Sequence, residues 1–193
     1  MLRSFIFGML FFVFGCSSLK IDYDPKVNIS NDIQFKLIAP SELKQDIDFT
    51  QYFQGSYNNK KFNFSLITNI NKNEIKILGF SEVGVRVFSL KFNGQKIDFD
   101  APSIIKNNKQ IHPEYMLADL QLVYFPLKNI KENLSKNIKI IETTSKNKKR
   151  IFYKGNKPFI VIEYDKKDIW SSNIRFQNIE RKYEYSLTKI SNE

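Results

Sequence analysis

One segment restricts the architecture of this chain more than any other: the run from Pro113 to Phe125, followed by Pro126. Pro113 suits the first turn of a helix, where its missing N–H would have no intrahelical partner anyway. On helical spacing, Met116, Leu117, Leu120, Val123, Tyr124 and Leu127 form one apolar stripe, and Ala118, Leu122 and Phe125 fall on the other side. Only Asp119 and Gln121 interrupt it. A helix apolar nearly all round must be buried on more than one side or cover a cavity. Pro126 then bends the chain into a second short helix, Leu127 to Leu134.

The segments on either side have a different period. Phe62, Phe64, Leu66 and Ile70 alternate with Lys61, Asn63, Ser65 and Asn69, so phenylalanines occupy one face of a strand. Asn58-Asn59 and Asn71-Lys72-Asn73 supply turns around it. Further strands are expected at Ile75–Ile77, Gly84–Phe92 and Lys96–Phe99, the last two joined by Asn93-Gly94, a strong hairpin signal. These four make an antiparallel meander. Beyond the helices, strands are expected at 138–142, 150–154, 159–164, 173–177 and 183–190, with a turn at Lys154-Gly155-Asn156.

Strands, then helices, then strands predict an α+β fold: a strongly curved antiparallel sheet, an open half-barrel, with the apolar helix across its concave face. Such a shape can leave a cavity. Phe62, Phe64, Leu66, Val85 and Val87 from the sheet, with Leu117, Leu120 and Tyr124 from the helix, are the candidate lining, although plain core packing would use the same residues.

At the start of the chain, Arg3 precedes an apolar run from Phe5 to Phe14, and Gly15 stands before Cys16, the only cysteine. The run is too short to cross a hydrocarbon core, which needs about 20 helical residues. It resembles a bacterial lipoprotein signal. That resemblance implies cleavage after residue 15, lipidation of Cys16 and, with Ser17 next, sorting to the outer membrane on its periplasmic side. A lone thiol forms no internal disulfide, which lipidation would also explain in an oxidising compartment. The expected organisation is a signal at 1–15, a polar tether at 16–40 punctuated by Pro25 and Pro40, and one domain at 41–193. A short helix is expected from Ser41.

A formal charge of +10 would suggest nucleic acid in a cytoplasmic protein. The proposed address argues against it, because the anions there are lipid headgroups and phosphates. Aromatics at 15% exclude a disordered chain, and no later apolar run reaches spanning length. A monomer attached to the membrane through Cys16 is expected.

Signals for catalysis are weak. His112 is the only histidine, and His112-Pro113-Glu114 matches half of a zinc-deaminase signature whose paired cysteines the chain lacks. No nucleophile elbow, zinc-protease helix or phosphate loop is present, so neither an enzyme nor a cofactor or metal site is expected. Asp119 stands out instead, because a carboxylate beside a buried stripe must be paired or protonated. Arg86, Arg150 and Arg175 are candidate partners. In a buried ion pair, Asp119→Ala would cost about 3–5 kcal/mol. Trp170, Tyr183 and Tyr185 are read either as a binding rim or as core.

Several of these residues carry a family resemblance. Gly84-Val85-Arg86-Val87-Phe88-Ser89-Leu90 before Asn93-Gly94, Ala118-Asp119-Leu120-Gln121-Leu122 leading to Pro126, and the Arg150-to-Tyr164 hairpin before Trp170, Asn178 and Tyr185-Ser186-Leu187 resemble the bacterial lipoproteins of domain-of-unknown-function family 3261. The likeness spans about Gly55 to Leu187. That family is similar to the outer-membrane lipoprotein receptor and its periplasmic carrier. The resemblance implies a half-barrel lidded by helices, with a cavity for acyl chains and no catalytic residues to transfer. The function expected from it is non-enzymatic binding of an acyl or polyene ligand, or of a lipoprotein's acyl chain, in delivery of a lipid-linked product to the outer membrane. The alternatives are a structural accessory for a membrane-associated synthesis or export system, and an enzyme acting on lipid or thioester.

Overall fold

The computed structural model describes residues 20–21, 26–57, 60–102, 112–135, 138–144 and 147–190. The expected signal and Cys16 lie outside them. Thirteen strands occur among the described residues: β1 (Lys20–Ile21), β2 (Lys26–Asn28), β3 (Gln34–Lys36), β4 (Ile47–Tyr57), β5 (Lys60–Ile70), β6 (Ile75–Phe80), β7 (Arg86–Phe92), β8 (Ile97–Asp100), β9 (Ile138–Thr143), β10 (Lys149–Lys154), β11 (Lys157–Tyr164), β12 (Ile174–Asn178) and β13 (Tyr183–Lys189). Helices α1 (Pro113–Tyr124) and α2 (Leu127–Glu132) separate β8 from β9, and a single 3-10 turn occupies Pro40–Leu43.

Eleven strands form one sheet in the order β1-β8-β7-β6-β5-β4-β13-β12-β11-β10-β9, and β2 and β3 form a separate hairpin. Every sheet pair after β1 is a sequence-adjacent antiparallel hairpin except β4 with β13, which joins two meanders. Only long-range pairing makes that junction: Leu187 lies opposite Phe53 and Tyr185 opposite Gly55. Since β8 and β9 lie toward opposite ends of the sheet, the chain must return across it, and α1 and α2 lie in that return. The architecture is α+β, an open antiparallel sheet with helices against one face.

The register shows which face is covered. Phe49, Gln51, Phe53 and Gly55 of β4 stand opposite Thr68, Leu66, Phe64 and Phe62 of β5. This inner face continues through Ile75 and Ile77 of β6 to Leu90 and Phe92 of β7. A bulge between Gly79 and Phe80 shifts the pairing at the start of β7 and leaves Val87 unmatched. The opposite, outer face carries Lys61, Asn63, Ser56 and Gln54.

Residues 26–40 are not a free tether. Val27, Ile29, Ile33, Phe35, Leu37 and Ile38 are each at most 4% exposed. The β2–β3 hairpin pins this segment, Asn178 Nδ2 donates to the Ile29 carbonyl at 2.9 Å, and Leu134 bridges to Phe35. The domain therefore includes residues that sequence analysis assigns to the linker. Near Gly94, Ala39 packs against the β7–β8 turn. That glycine has φ of 94°, the left-handed region that its hairpin turn requires.

Candidate functional site

Helix α1 is fixed on the inner face by polar contacts that its own sequence makes necessary. Pro126 has no N–H for the Leu122 carbonyl, so the last turn leaves acceptors open. Arg150 of β10 supplies the missing donor: its Nη1 donates to the Leu122 carbonyl at 2.5 Å and to that of Phe125 at 3.3 Å. The Tyr164 hydroxyl of β11 donates to the Val123 carbonyl at 2.7 Å. Arg150 is only 1% exposed, and Glu142 of β9 accepts from its Nε and Nη2 at 2.8 Å. Burial pushes the Glu142 carboxyl up, but Arg150 and Lys148 more than offset it, leaving it below its ordinary value.

Gln121, the second polar residue in the stripe, is fully buried. Its amide pairs with both backbone groups of Ile38, N–H to Oε1 and Nε2 to carbonyl, each at 2.8 Å. The N-terminal segment is thereby stapled to α1. Tyr124 is stacked on Trp170 at 5.0 Å, packs against Phe49 at 5.0 Å, and its hydroxyl accepts from Gln51 Nε2 at 2.6 Å.

Asp119 is buried as well, at 8% exposed. None of the three expected arginines reaches it. Arg86 pairs with Asp100 at 3.4 Å near the surface, Arg150 with Glu142, and Arg175 with Glu184 at 3.3 Å. The partner is Tyr183 of β13, whose hydroxyl donates to both carboxylate oxygens at 2.9 Å. A neutral hydroxyl does not offset the loss of hydration as a guanidinium would. Burial therefore pushes the Asp119 carboxyl up to about 8 against the opposing effects of Tyr183 and Arg181. Burial and the neighbouring carboxyl also raise Tyr183 well above its ordinary value, so it remains a donor.

Beside this packed region, a row of rings crosses the inner face. Phe99, Phe88, Phe64 and Phe53 follow one another at 6.1 Å between centroids, Tyr185 lies 5.1 Å from Phe53, and Phe176 stacks on Tyr185 at 4.7 Å. Two glycines make room for it. A Cβ on Gly79 would lie 2.2 Å from the Phe88 ring, and one on Gly55 would lie 2.7 Å from the Phe53 ring. Part of this surface is open. Phe62 is 39% exposed, and Phe53, Phe64, Leu66 and Tyr185 are half-buried, as is Leu120 of α1, one turn before Tyr124.

The expected lining residues thus divide. Phe62, Phe64 and Leu66 form one open inner-face strip, and Leu120 of α1 is half-buried against the core. Leu117, at 0% exposed, and Tyr124, at 2%, are filled core with no surface to offer a ligand in this arrangement. Val85 lies away from the strip, 62% exposed before β7, and Val87 is the half-buried bulge residue. Trp170 is packed on Tyr124, while His112 is exposed, with Nδ1 3.0 Å from Glu114 Oε1. Phe53, Gly55 and Gly79 join the site without a motif of their own; alternation at Phe49, Gln51 and Phe53 is the sequence signal for the first.

On the outer face, directly behind part of the strip, an open groove of about 310 Å³ is bordered by Gln54, Ser56, Lys61, Asn63, Arg175 and Glu184. Further along the same outer face the polar side chains give way to Ile67, 43% exposed, and Tyr52. Among the described residues, no helix is long and apolar enough to cross a membrane, and no three His, Cys, Asp or Glu side chains are grouped for a metal.

An open antiparallel sheet, packed by helices on one face with an aromatic row beside them that is open only at Phe53, Phe64 and Tyr185, defines an α+β protein with a candidate apolar binding surface. The chain belongs to the family described as Protein of unknown function (DUF3261), whose model matches residues 48–191, from the start of β4 to just beyond β13. Comparison with curated proteins finds no match.

Proposed function

We propose that this protein is an outer-membrane lipoprotein, anchored on the periplasmic side through lipidated Cys16, that binds an acyl or polyene chain on its inner sheet face without acting as an enzyme. Its ligand is a free hydrophobic chain or the acyl group of a lipoprotein, and its task is to help deliver a lipid-linked product to the outer membrane. In this reading the sheet curves around α1 as an open half-barrel. The observation that carries it is the open strip: Phe62 at 39% exposed, continuous with half-buried Phe53, Phe64, Leu66 and Tyr185, backed on the outer face by Gln54, Ser56, Lys61 and Asn63. Contiguous exposed apolar surface of this kind marks interaction sites in soluble domains. Each methylene that such a strip removes from water contributes about 0.8 kcal/mol, so an acyl chain needs only part of its length covered. Two or more acyl chains on Cys16 would hold the protein at the membrane stably, which one short chain would not.

The test uses the full Cys16→Ala chain and displacement of cis-parinaric acid. Saturable binding that weakens in Phe64→Asp and in Phe62→Asp supports the reading. Absence of binding, or binding that neither change affects, contradicts it and favours a structural accessory.

A further inference from the structure

A second surface lies at the far end of the sheet, away from the aromatic strip. Among the described residues, β9 is an edge strand: it pairs with β10 on one side and with no strand on the other. The opposite edge, β8, is extended by β1. An open edge presents unpaired N–H and C=O groups to any extended segment that approaches it. Native edges are usually blunted by charges, proline or short length. β9 reads Ile138-Lys139-Ile140-Ile141-Glu142-Thr143, with one lysine, no proline, and Glu142 directed inward to Arg150 and Lys148.

Beside this edge, between the end of α2 and β9, lies a groove of about 330 Å³. It is lined by Leu134, Ile138 and Ile140, with Ser135, and with Lys131 and Lys139 as its charged members. On the outer face, Ile141 of β9, Ile151 of β10 and Val161 of β11 stand in one cross-strand row, all half-buried. With one set of alternate side chains, a strand added at β9 would thus meet a groove of mixed polarity, with Leu134 and Ile138 as its half-buried apolar members, and with the other set Ile141.

We propose that β9 is a docking edge for an extended peptide of a partner protein, bound by strand addition, whose sequence alternates apolar and β-branched residues and carries carboxylates for Lys131 and Lys139. The edge, which no strand among the described residues covers, supplies backbone hydrogen bonds, Leu134 and Ile138 in the groove offer apolar contact, and the two lysines select acidic neighbours. A second copy of this chain is a poorer occupant. It would bring the same lysines to the same edge, and the chain as a whole has a formal charge of +10. The proposal is independent of hydrophobic-ligand binding on the inner face.

The test uses the full chain in detergent and a capped synthetic peptide of alternating valine and threonine bearing two aspartates. Saturable binding by fluorescence anisotropy is expected, with slowed amide exchange confined to β9 and its groove. Replacing both lysines, Lys131→Glu with Lys139→Glu, should weaken it about tenfold, as expected for the loss of two partly exposed ion pairs. A peptide with lysines in place of its aspartates should bind that double variant better than it binds the native chain, which keeps the test valid if the variant is slightly destabilised. No saturable binding, protection elsewhere than β9, or a concentration-dependent dimer abolished by the same two changes would each overturn the proposal.

Discussion

The hydroxyl of Tyr183 donates to both carboxyl oxygens of Asp119 at 2.9 Å, joining β13 to the middle of α1 through a neutral donor. Burial holds the Asp119 proton up to about 8, far above its ordinary 3.8. The folded state therefore binds that proton more tightly than the unfolded chain. Its stabilising contribution is complete below about pH 4, declines as pH rises and is lost by the time pH has passed about 8. Urea titrations at several pH values should show that decline, and Asp119→Asn, which keeps an acceptor for Tyr183, should flatten it. An unchanged slope in Asp119→Asn would contradict the assignment.

Asp119→Ala should be milder than loss of an ion-pair partner. It leaves the Tyr183 hydroxyl without an acceptor, which costs about 1–3 kcal/mol, rather than leaving a buried charge alone. If Tyr183→Phe is combined with it, the second change should add little, because the two groups serve each other. Additive losses in thermal denaturation would show that they do not.

Arg150 carries more. Arg150→Met removes the donor for the Leu122 and Phe125 carbonyls and leaves Glu142 with Lys148 alone, so about 3–5 kcal/mol should be lost. Glu142, held below its ordinary 4.5, contributes stability that is present above that pH and lost as pH falls through its folded value. Acid unfolding of Glu142→Gln should therefore depend less on pH below about 4.5 than that of the native chain. A loss under 1 kcal/mol for Arg150→Met, on the scale of a surface pair, would refute this role.

Gly79→Ala tests the floor of the aromatic row. Its Cβ would lie 2.2 Å from the Phe88 ring, forcing a shift that should cost about 1–3 kcal/mol. Phe88→Leu should partly rescue it, so the double variant should be less destabilised than the two single changes added together. Strict additivity would mean that the ring does not depend on the glycine.

The strand order was legible where local signals were dense. Alternation at Phe62–Ile70 and the Asn93-Gly94 turn lead directly to β5, β7 and β8, and Pro113 and Pro126 bracket α1 as found. The packing of residues 26–40 was hidden behind Pro25, Asn28, Ser30 and Asn31, which read as loop. Strands of three residues bury one side chain each, too short a stretch for a period to stand out, although Val27, Ile29, Phe35 and Leu37 do alternate. Pairing is the least accessible: Asp119 and Tyr183 are 64 residues apart, and the charge of a carboxylate points first to an arginine. For Arg150 a signal did exist, because Pro126 leaves the Leu122 carbonyl without its helical donor. The expected lining residues split because periodicity assigns a face, while the position of α1 across that face decides what it covers.

Occupancy of the inner face by a hydrophobic chain can be read by native mass spectrometry with lipid extraction on the full Cys16→Ala chain purified from its own host. A stoichiometric hydrophobic ligand, lost in Phe64→Asp, is the predicted result; a protein that is empty and remains so when offered acyl probes would contradict the claim.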